Sequence, residues 1–272
     1  DINPVELNIT GDSVDVEIRV TEGKQATLNN IVINGNDLTS EKVVRRQIFT
    51  RPGYLFSQSD FERSIREIAS LGQFDPEAIA GEGGYSIIPN QMNNTVDLVY
   101  NVTEKPSSQL ELSGGWGANT FVASVGVSFN NFSTARMFKG DAWRPVPLGD
   151  AQNLSIKLQT NGTYYTSFVF GFTEPWLFGK KPTSLQIQSY YSRQTDSYLA
   201  IGVLSNNRVM QVYGFTAGIG NRLKWPDNYF TLYNGLSWQV YDLKNWIDGY
   251  FMFNDGRSHN LCYNVSLSRT ST

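Results

Sequence analysis

VDLVYNVTEKP, residues 96–106, decides how this chain is divided. Val96, Leu98, Tyr100 and Val102 alternate with more polar neighbours, the period-two pattern of a half-buried strand. Nearly the same phrase, VDVEIRVTEGK, stands at 14–24, 82 positions earlier (96 − 14 = 82). There Val14, Val16, Ile18 and Val20 alternate with Asp15, Glu17, Arg19 and Thr21. Two copies of one closing strand at this spacing predict a tandem array of small modules, each of about 80 residues.

The text between the copies describes one such module. TLNNIVINGN (27–36) reads as a strand ending at the turn signal Asn34-Gly35-Asn36. LTSEKVVRRQIF (38–49) follows, with Thr39 or Ser40 as N-cap and Val43, Val44 and Ile48 on one helical face. Arg51-Pro52-Gly53 breaks it. SDFERSIREIASLG (59–72) is a second helix, capped by Ser57 or Ser59, with Phe61, Ile65, Ile68 and Leu71 at helical spacing and Gly72 as its stop. A short strand near 74–80 and the strand at 95–104 complete the order β-α-α-β-β. The expected division is 1–24 as the closing strands of a preceding module, 25–106 as a complete one, and 107–272 as a different kind of domain.

After Pro106 helical periodicity stops and alternation takes over. QLELSGGWG (109–117), FVASVGVSF (121–129), NLSIKLQ (153–159), SFVFGFT (167–173), SLQIQSYY (184–191), YGFTAGIG (213–220), YFTLYNGLSWQV (229–240) and LCYNVSLS (261–268) make about eight strands. A soluble sandwich would alternate too, but its outer face usually carries many Lys and Glu. Here the polar positions are Ser, Thr, Asn, Gln and Gly, and charged residues are only 17% of the chain. Trp116, Trp176, Trp225, Trp238 and Trp246 rim the apolar face. Short alternating strands bordered by aromatics are the signature of a transmembrane barrel.

The connections sort into two sets. Those at 130–150, 174–182 and 221–228 share the module's side of the membrane. The turns at 117–119 and 160–163 and the loops at 193–208 and 241–257 lie on the other. The stretch 130–150 exceeds the short turns expected on the module's side.

Other classes are excluded. A net charge of −3 argues against binding driven by phosphate contacts to nucleic acid. The single Cys262 permits no intrachain disulfide. It shares a face with Asn264 and Ser266, pointing toward a polar interior. The single His259, at the start of a strand, has no catalytic partner pattern, and HExxH, GxSxG and phosphate-loop motifs are missing. No enzyme activity, cofactor or metal is expected. The opening at Asp1 and the uncapped end at SLSRTST predict a piece of a longer chain.

At this point the chain resembles the family of the central subunit of the outer-membrane β-barrel assembly machine (the BamA family), within the POTRA-plus-barrel superfamily. The resemblance rests on the strand with NGN, on Gly53–Ser57 (GYLFS), on the helix ending Ser70-Leu71-Gly72-Gln73-Phe74, and on the junction TEKPSSQLELSGGWG. NNFS (130–133), AWRPVP (142–147) and FTEPWLFGKKP (172–182) are similar to the Bacteroidota type. The resemblance implies a POTRA domain followed by the N-terminal half of a sixteen-stranded antiparallel barrel in the outer membrane of a Gram-negative cell, with POTRA domains in the periplasm.

It further implies a factor that folds and inserts other barrel proteins. The lateral gate would be the first barrel strand: Gln109, Leu110, Glu111, Leu112, Ser113, Gly114, Gly115, Trp116 and Gly117. Its glycines either soften the strand for an incoming client or fit a tight turn near Ala118-Asn119. Arg45 and Arg46 are candidates for docking a partner, with a solvated helix face as the alternative. The proteobacterial members carry an acidic residue where Pro52 stands, so partner contacts are expected to differ. The implied partners are unfolded barrel clients, accessory lipoproteins and the lipid bilayer, with no nucleic acid. A TamA-like insertion factor or a two-partner-secretion-type channel is the alternative.

Overall fold

A computed structural model describes residues 2–10, 13–20, 25–117, 120–140, 143, 146–162, 164–179, 181–195, 208–246 and 251–270. The chain divides into two compact units. The first comprises 1–35, 44–70 and 75–103; the second comprises 36–43, 71–74 and 104–272.

In the first unit, β1 (Ile2–Thr10) and β2 (Ser13–Val20) form an antiparallel hairpin. A three-stranded sheet follows in the order β3-β5-β4. β3 (Thr27–Asn34) runs parallel to β5 (Thr95–Asn101), and β4 (Tyr85–Asn90) antiparallel to it. At the end of β3, Gly35 has φ +87°. A side chain there would collide with the carbonyl oxygen of Val102, which explains the Asn-Gly-Asn turn.

Helix α1 (Glu41–Arg45) is shorter than its pattern, which ran on to Ile48. The Phe49 N–H is taken by Ser64 Oγ at 2.9 Å rather than by a helical carbonyl. Helix α2 (Gln58–Ala69) starts at Ser57, whose side chain accepts the Asp60 N–H. The expected strand at 74–80 is instead a helix, α3 (Pro76–Ala80). Asp75 caps it by accepting the Glu77 N–H at 3.0 Å, and Pro76 occupies the first turn, where its missing N–H costs nothing. The strand that pairs with β5 lies further on, at β4. Leu28, Phe61, Ile68, Leu98 and Tyr100 are buried as the core. Phe61 packs edge-on against Tyr85 at 5.1 Å between ring centroids and lies 5.8 Å from Tyr100. Burial pushes the Tyr100 hydroxyl pKa above the usual tyrosine value, against the opposing effect of Thr50 and Ser64.

The second unit holds an eight-stranded sheet in which every strand pairs with its sequence neighbour. Its strands are β6 (Ser108–Gly117), β7 (Thr120–Phe132), β8 (Gln152–Thr160), β9 (Tyr165–Glu174), β10 (Thr183–Thr195), β11 (Val209–Arg222), β12 (Phe230–Lys244) and β13 (Gly256–Arg269). All pairings are antiparallel. No described helix is long and apolar enough to cross a membrane.

Register sorts the wall's side chains by face. Leu158, Phe168, Tyr191, Tyr213, Val240 and His259 are successive partners across β8–β13. The next line on that face is Ile156, Phe170, Ser189, Phe215, Trp238 and Leu261. The opposite face carries the polar residues, among them Asn153, Ser155, Thr173, Gln186 and Gln188, which border a cavity of about 200 Å³ with Tyr233. Two tyrosines on this face lie over glycines: a Cβ on Gly214 would enter the Tyr190 ring, and one on Gly218 the Tyr233 ring. Cys262, expected on the polar face, is the partner of Ser237 on that face. Of the five tryptophans expected at the rim, Trp116, Trp225 and Trp238 are exposed and Trp176 is half-buried, but Trp246 is buried.

Candidate functional site

Strand β6 is one margin of the eight-stranded sheet, paired to β7 alone from Ser108↔Phe129 to Gly117↔Thr120. The proposed gate residues 109–117 therefore all lie on this margin. Leu110, Leu112 and Trp116 are exposed on the apolar face. Glu111 sits on the polar face, with its carboxylate 3.8 Å from Lys157 Nζ across Gly126. Ser113 and Ser124 share a hydroxyl hydrogen bond of 2.5 Å. The glycines differ in their surroundings. A Cβ on Gly114 would touch the Phe121 ring at 3.0 Å, whereas around Gly115 nothing lies within 4 Å. Packing thus accounts for Gly114 but not for Gly115, where the missing side chain leaves the strand without lateral support. Part of the turn at 117–119 lies outside the described residues.

Arg45 and Arg46 come at the end of α1. Arg45 is exposed and donates through Nη2 to the Ile31 carbonyl at 3.2 Å; Arg46 is half-buried.

The described residues of the stretch 130–150, which is unexpectedly long for a turn, form a folded polar junction. Ser133 precedes a 3-10 turn at Thr134–Arg136 without capping it through its side chain, and Phe132 bridges to Leu148. Buried Asn131 accepts the Ala151 N–H and donates to Thr39 Oγ1 at 2.9 Å. Ser133 Oγ donates to Asp150 Oδ2, and Lys42 Nζ stands 2.7 Å from Asp150 Oδ1. Arg136 donates to the Leu148 carbonyl and to Ser40 Oγ, while the Ser40 N–H donates to the Gly149 carbonyl. Glu104 takes the N–H groups of Leu38 and Thr39 at 2.9 and 2.6 Å.

Burial alone would push the Asp150 carboxyl up. The hydrogen bonds from Lys42 and Ser133 and the charges of Lys42 and Arg136 outweigh it and hold the group below the usual carboxylate range. The residues 38–42 that complete this junction lie about a hundred positions upstream, beyond the reach of any local pattern. The density of Asn, Ser and Asp at 130–133 and 150 was the available signal.

Comparison with known proteins gives these elements a setting. Residues 26–105 match the POTRA family, described as surface antigen variable number repeat, and residues 147–270 match the Omp85 superfamily domain. The outer membrane protein assembly factor BamA of Neisseria meningitidis is 33% identical over 131 residues, covering 46% of this chain and 15% of that protein. The crystal structure of BamA from Haemophilus ducreyi lacking POTRA domains 1–3 superposes with a TM-score of 0.62 at 18% identity, over 98% of this chain and 48% of that one. CdiB from Acinetobacter baumannii gives a TM-score of 0.52 at 13% identity, over 96% of this chain and 45% of that one. The chain thus spans less than half the length of each of these relatives. The chain thus joins a POTRA module to an Omp85 region whose eight strands match half of a BamA barrel, an arrangement of the outer membrane with the POTRA domain in the periplasm.

Proposed function

We propose that this chain is the gate-bearing portion of an outer-membrane protein assembly factor, which folds and inserts barrel proteins at the margin formed by β6. The observation that carries the reading is the position of β6. It is a glycine-bearing strand at the margin of the wall, directly after the POTRA module in the sequence. Unpaired N–H and C=O groups at such a margin are costly in lipid, so the strand is a template for an incoming client strand. Gly115, unsupported by packing, makes that template yielding.

In this reading residues 1–24 end a preceding POTRA domain, 25–106 form the last one, and 107–272 begin the barrel. The module assists by adding client strands at its own margin. β4 suits this role, since it pairs only with β5, whereas the far side of β3 is engaged by Tyr54 and Phe56 at its start. Arg45 and Arg46 would contribute to docking accessory lipoproteins; Arg45, being exposed, is the better placed.

The test uses the full-length parent protein in liposomes. The folding rate of a denatured outer-membrane barrel protein is followed with and without a disulfide joining β6 to the last strand of the complete barrel. Acceleration that the disulfide abolishes is the expected result. Ion leakage without acceleration overturns it in favour of a two-partner-secretion-type channel. Acceleration that survives the disulfide removes the gate from the mechanism and leaves a TamA-like or module-driven factor.

A further inference from the structure

We infer a binding site for a phosphorylated lipid on the outer wall of β10–β13, at the strand ends where Thr195, Val209, Lys244 and Gly256 stand. The inference rests on the barrel's setting in an outer membrane, not on the assembly activity.

Arg193, Gln211, Asp242 and Arg257 are successive cross-strand partners, in one line on the lipid-facing side. The line beneath them is Tyr191, Tyr213, Val240 and His259. The polar line therefore begins where the apolar band ends. The border is ordered. The Tyr191 and Tyr213 rings lie 5.1 Å apart, and Gln211 binds both phenols, donating to Tyr191 and accepting from Tyr213. Trp238 and His259 stack with planes 8° apart. Between these pairs lies a groove of about 340 Å³ lined by Tyr213, Phe215, Trp238, Val240 and Arg257.

The chemistry of this groove is two-sided. Its floor of Phe215, Trp238 and Val240 suits an acyl chain. Among the described residues its upper lip is cationic: Arg193, Lys244 and Arg257 are exposed there, against Asp242 on the same line as Arg193 and Arg257. Asp242 binds Arg257 through Nε at 2.7 Å and so fixes the guanidinium, while the Arg257 side chain stays 70% exposed. A held guanidinium with its outer edge free is suited to bidentate recognition of a phosphate. Among the described residues, Asp255 is turned to the Asn245 N–H. An outward-facing groove at this height is reached from within the membrane, so its occupant is a lipid of the outer leaflet with a phosphate at its head.

The full-length protein is purified in detergent, and retention of diphosphorylated lipid A is measured by native mass spectrometry beside its dephosphorylated form and inorganic phosphate. Arg257→Gln is expected to lower retention of the phosphorylated lipid by roughly tenfold, as loss of a charge-assisted phosphate contact would. Arg257→Lys restores part of it, and Lys224→Gln, in the turn between β11 and β12 at the other end of these strands, changes nothing. Heat-modifiable electrophoretic mobility confirms that each variant is folded. Equal retention of phosphorylated and dephosphorylated lipid, or an Arg257→Gln variant that binds both as the parent does, overturns the site. Competition by inorganic phosphate at millimolar concentration with no dependence on the acyl chains makes it an anion site rather than a lipid site, and overturns the lipid assignment.

Discussion

β5 and β13 are written in the same alternation and face their apolar residues in opposite senses. In β5, Val96, Leu98 and Tyr100 are buried, the last two completely. In β13, Leu261, Tyr263, Val265 and Leu267 are each more than half exposed. A face of that kind, continued across the wall by Phe215, Trp238 and Leu236, would be a severe liability in water. The bilayer supplies the missing apolar partner. The comparison teaches that the apolar positions of a strand do not reveal which solvent it meets. That information lies in the intervening positions, which in β5 include Asp97, and in β13 are Cys262, Asn264 and Ser266.

The comparison is broken most directly at its leucines. Leu98→Ala is expected to cost the module about 2–5 kcal/mol, because a closed core keeps the cavity. Leu236→Arg is expected to cost about 2–4 kcal/mol near the bilayer midplane, and to leave the module untouched. Denaturant unfolding in vesicles, with separate probes on module and wall, reads both. If Leu98→Ala weakens wall insertion as strongly as module stability, the two regions do not fold by separate rules.

Within the wall, glycines sharpen the contrast between middle and margin. Gly218→Val is expected to destabilise the barrel by about 1–3 kcal/mol, because the Tyr233 ring already occupies the space. Gly115→Val should leave stability within about 0.5 kcal/mol, since nothing crowds it, yet slow client assembly. Equal stability losses at the two positions would show that steric space is not what distinguishes them.

The third test concerns the junction at 130–150, which is neither closed core nor lipid-facing wall. Asp150→Asn is expected to weaken it by about 1–3 kcal/mol, read as faster amide hydrogen exchange at Ser40, Ser133 and Ala151. The sign with pH follows from the lowered carboxyl pKa. The Asp150 contribution is fully present above the unfolded value, about 3.9, and is lost as pH falls through the folded value. Protection in the parent should therefore drop in acid, while the Asn variant stays flat across that window.

Much of the fold was legible because a period of two survives in any strand whose faces meet different surroundings, and all eight wall strands have such faces. β4 escaped because Pro89 interrupts it and all its residues are exposed, which removes the alternation. α3 escaped because five residues are too few to show a helical period, although Asp75-Pro76 is a cap signal in itself. The gate strand was legible as a strand, but the difference between Gly114 and Gly115 depends on where the Phe121 ring falls. The junction was illegible because its bonds join residues as far apart as Thr39 and Asn131.

The tyrosines seated on Gly214 and Gly218 have a mechanical consequence. A ring resting against bare backbone on the neighbouring strand acts as a strut, resisting both shear and flexure between β10 and β12. No such brace spans Gly115. A load applied along the sheet would therefore concentrate its deformation in the compliant strip at β6 and β7, so that the wall yields first at the margin and keeps its curvature elsewhere.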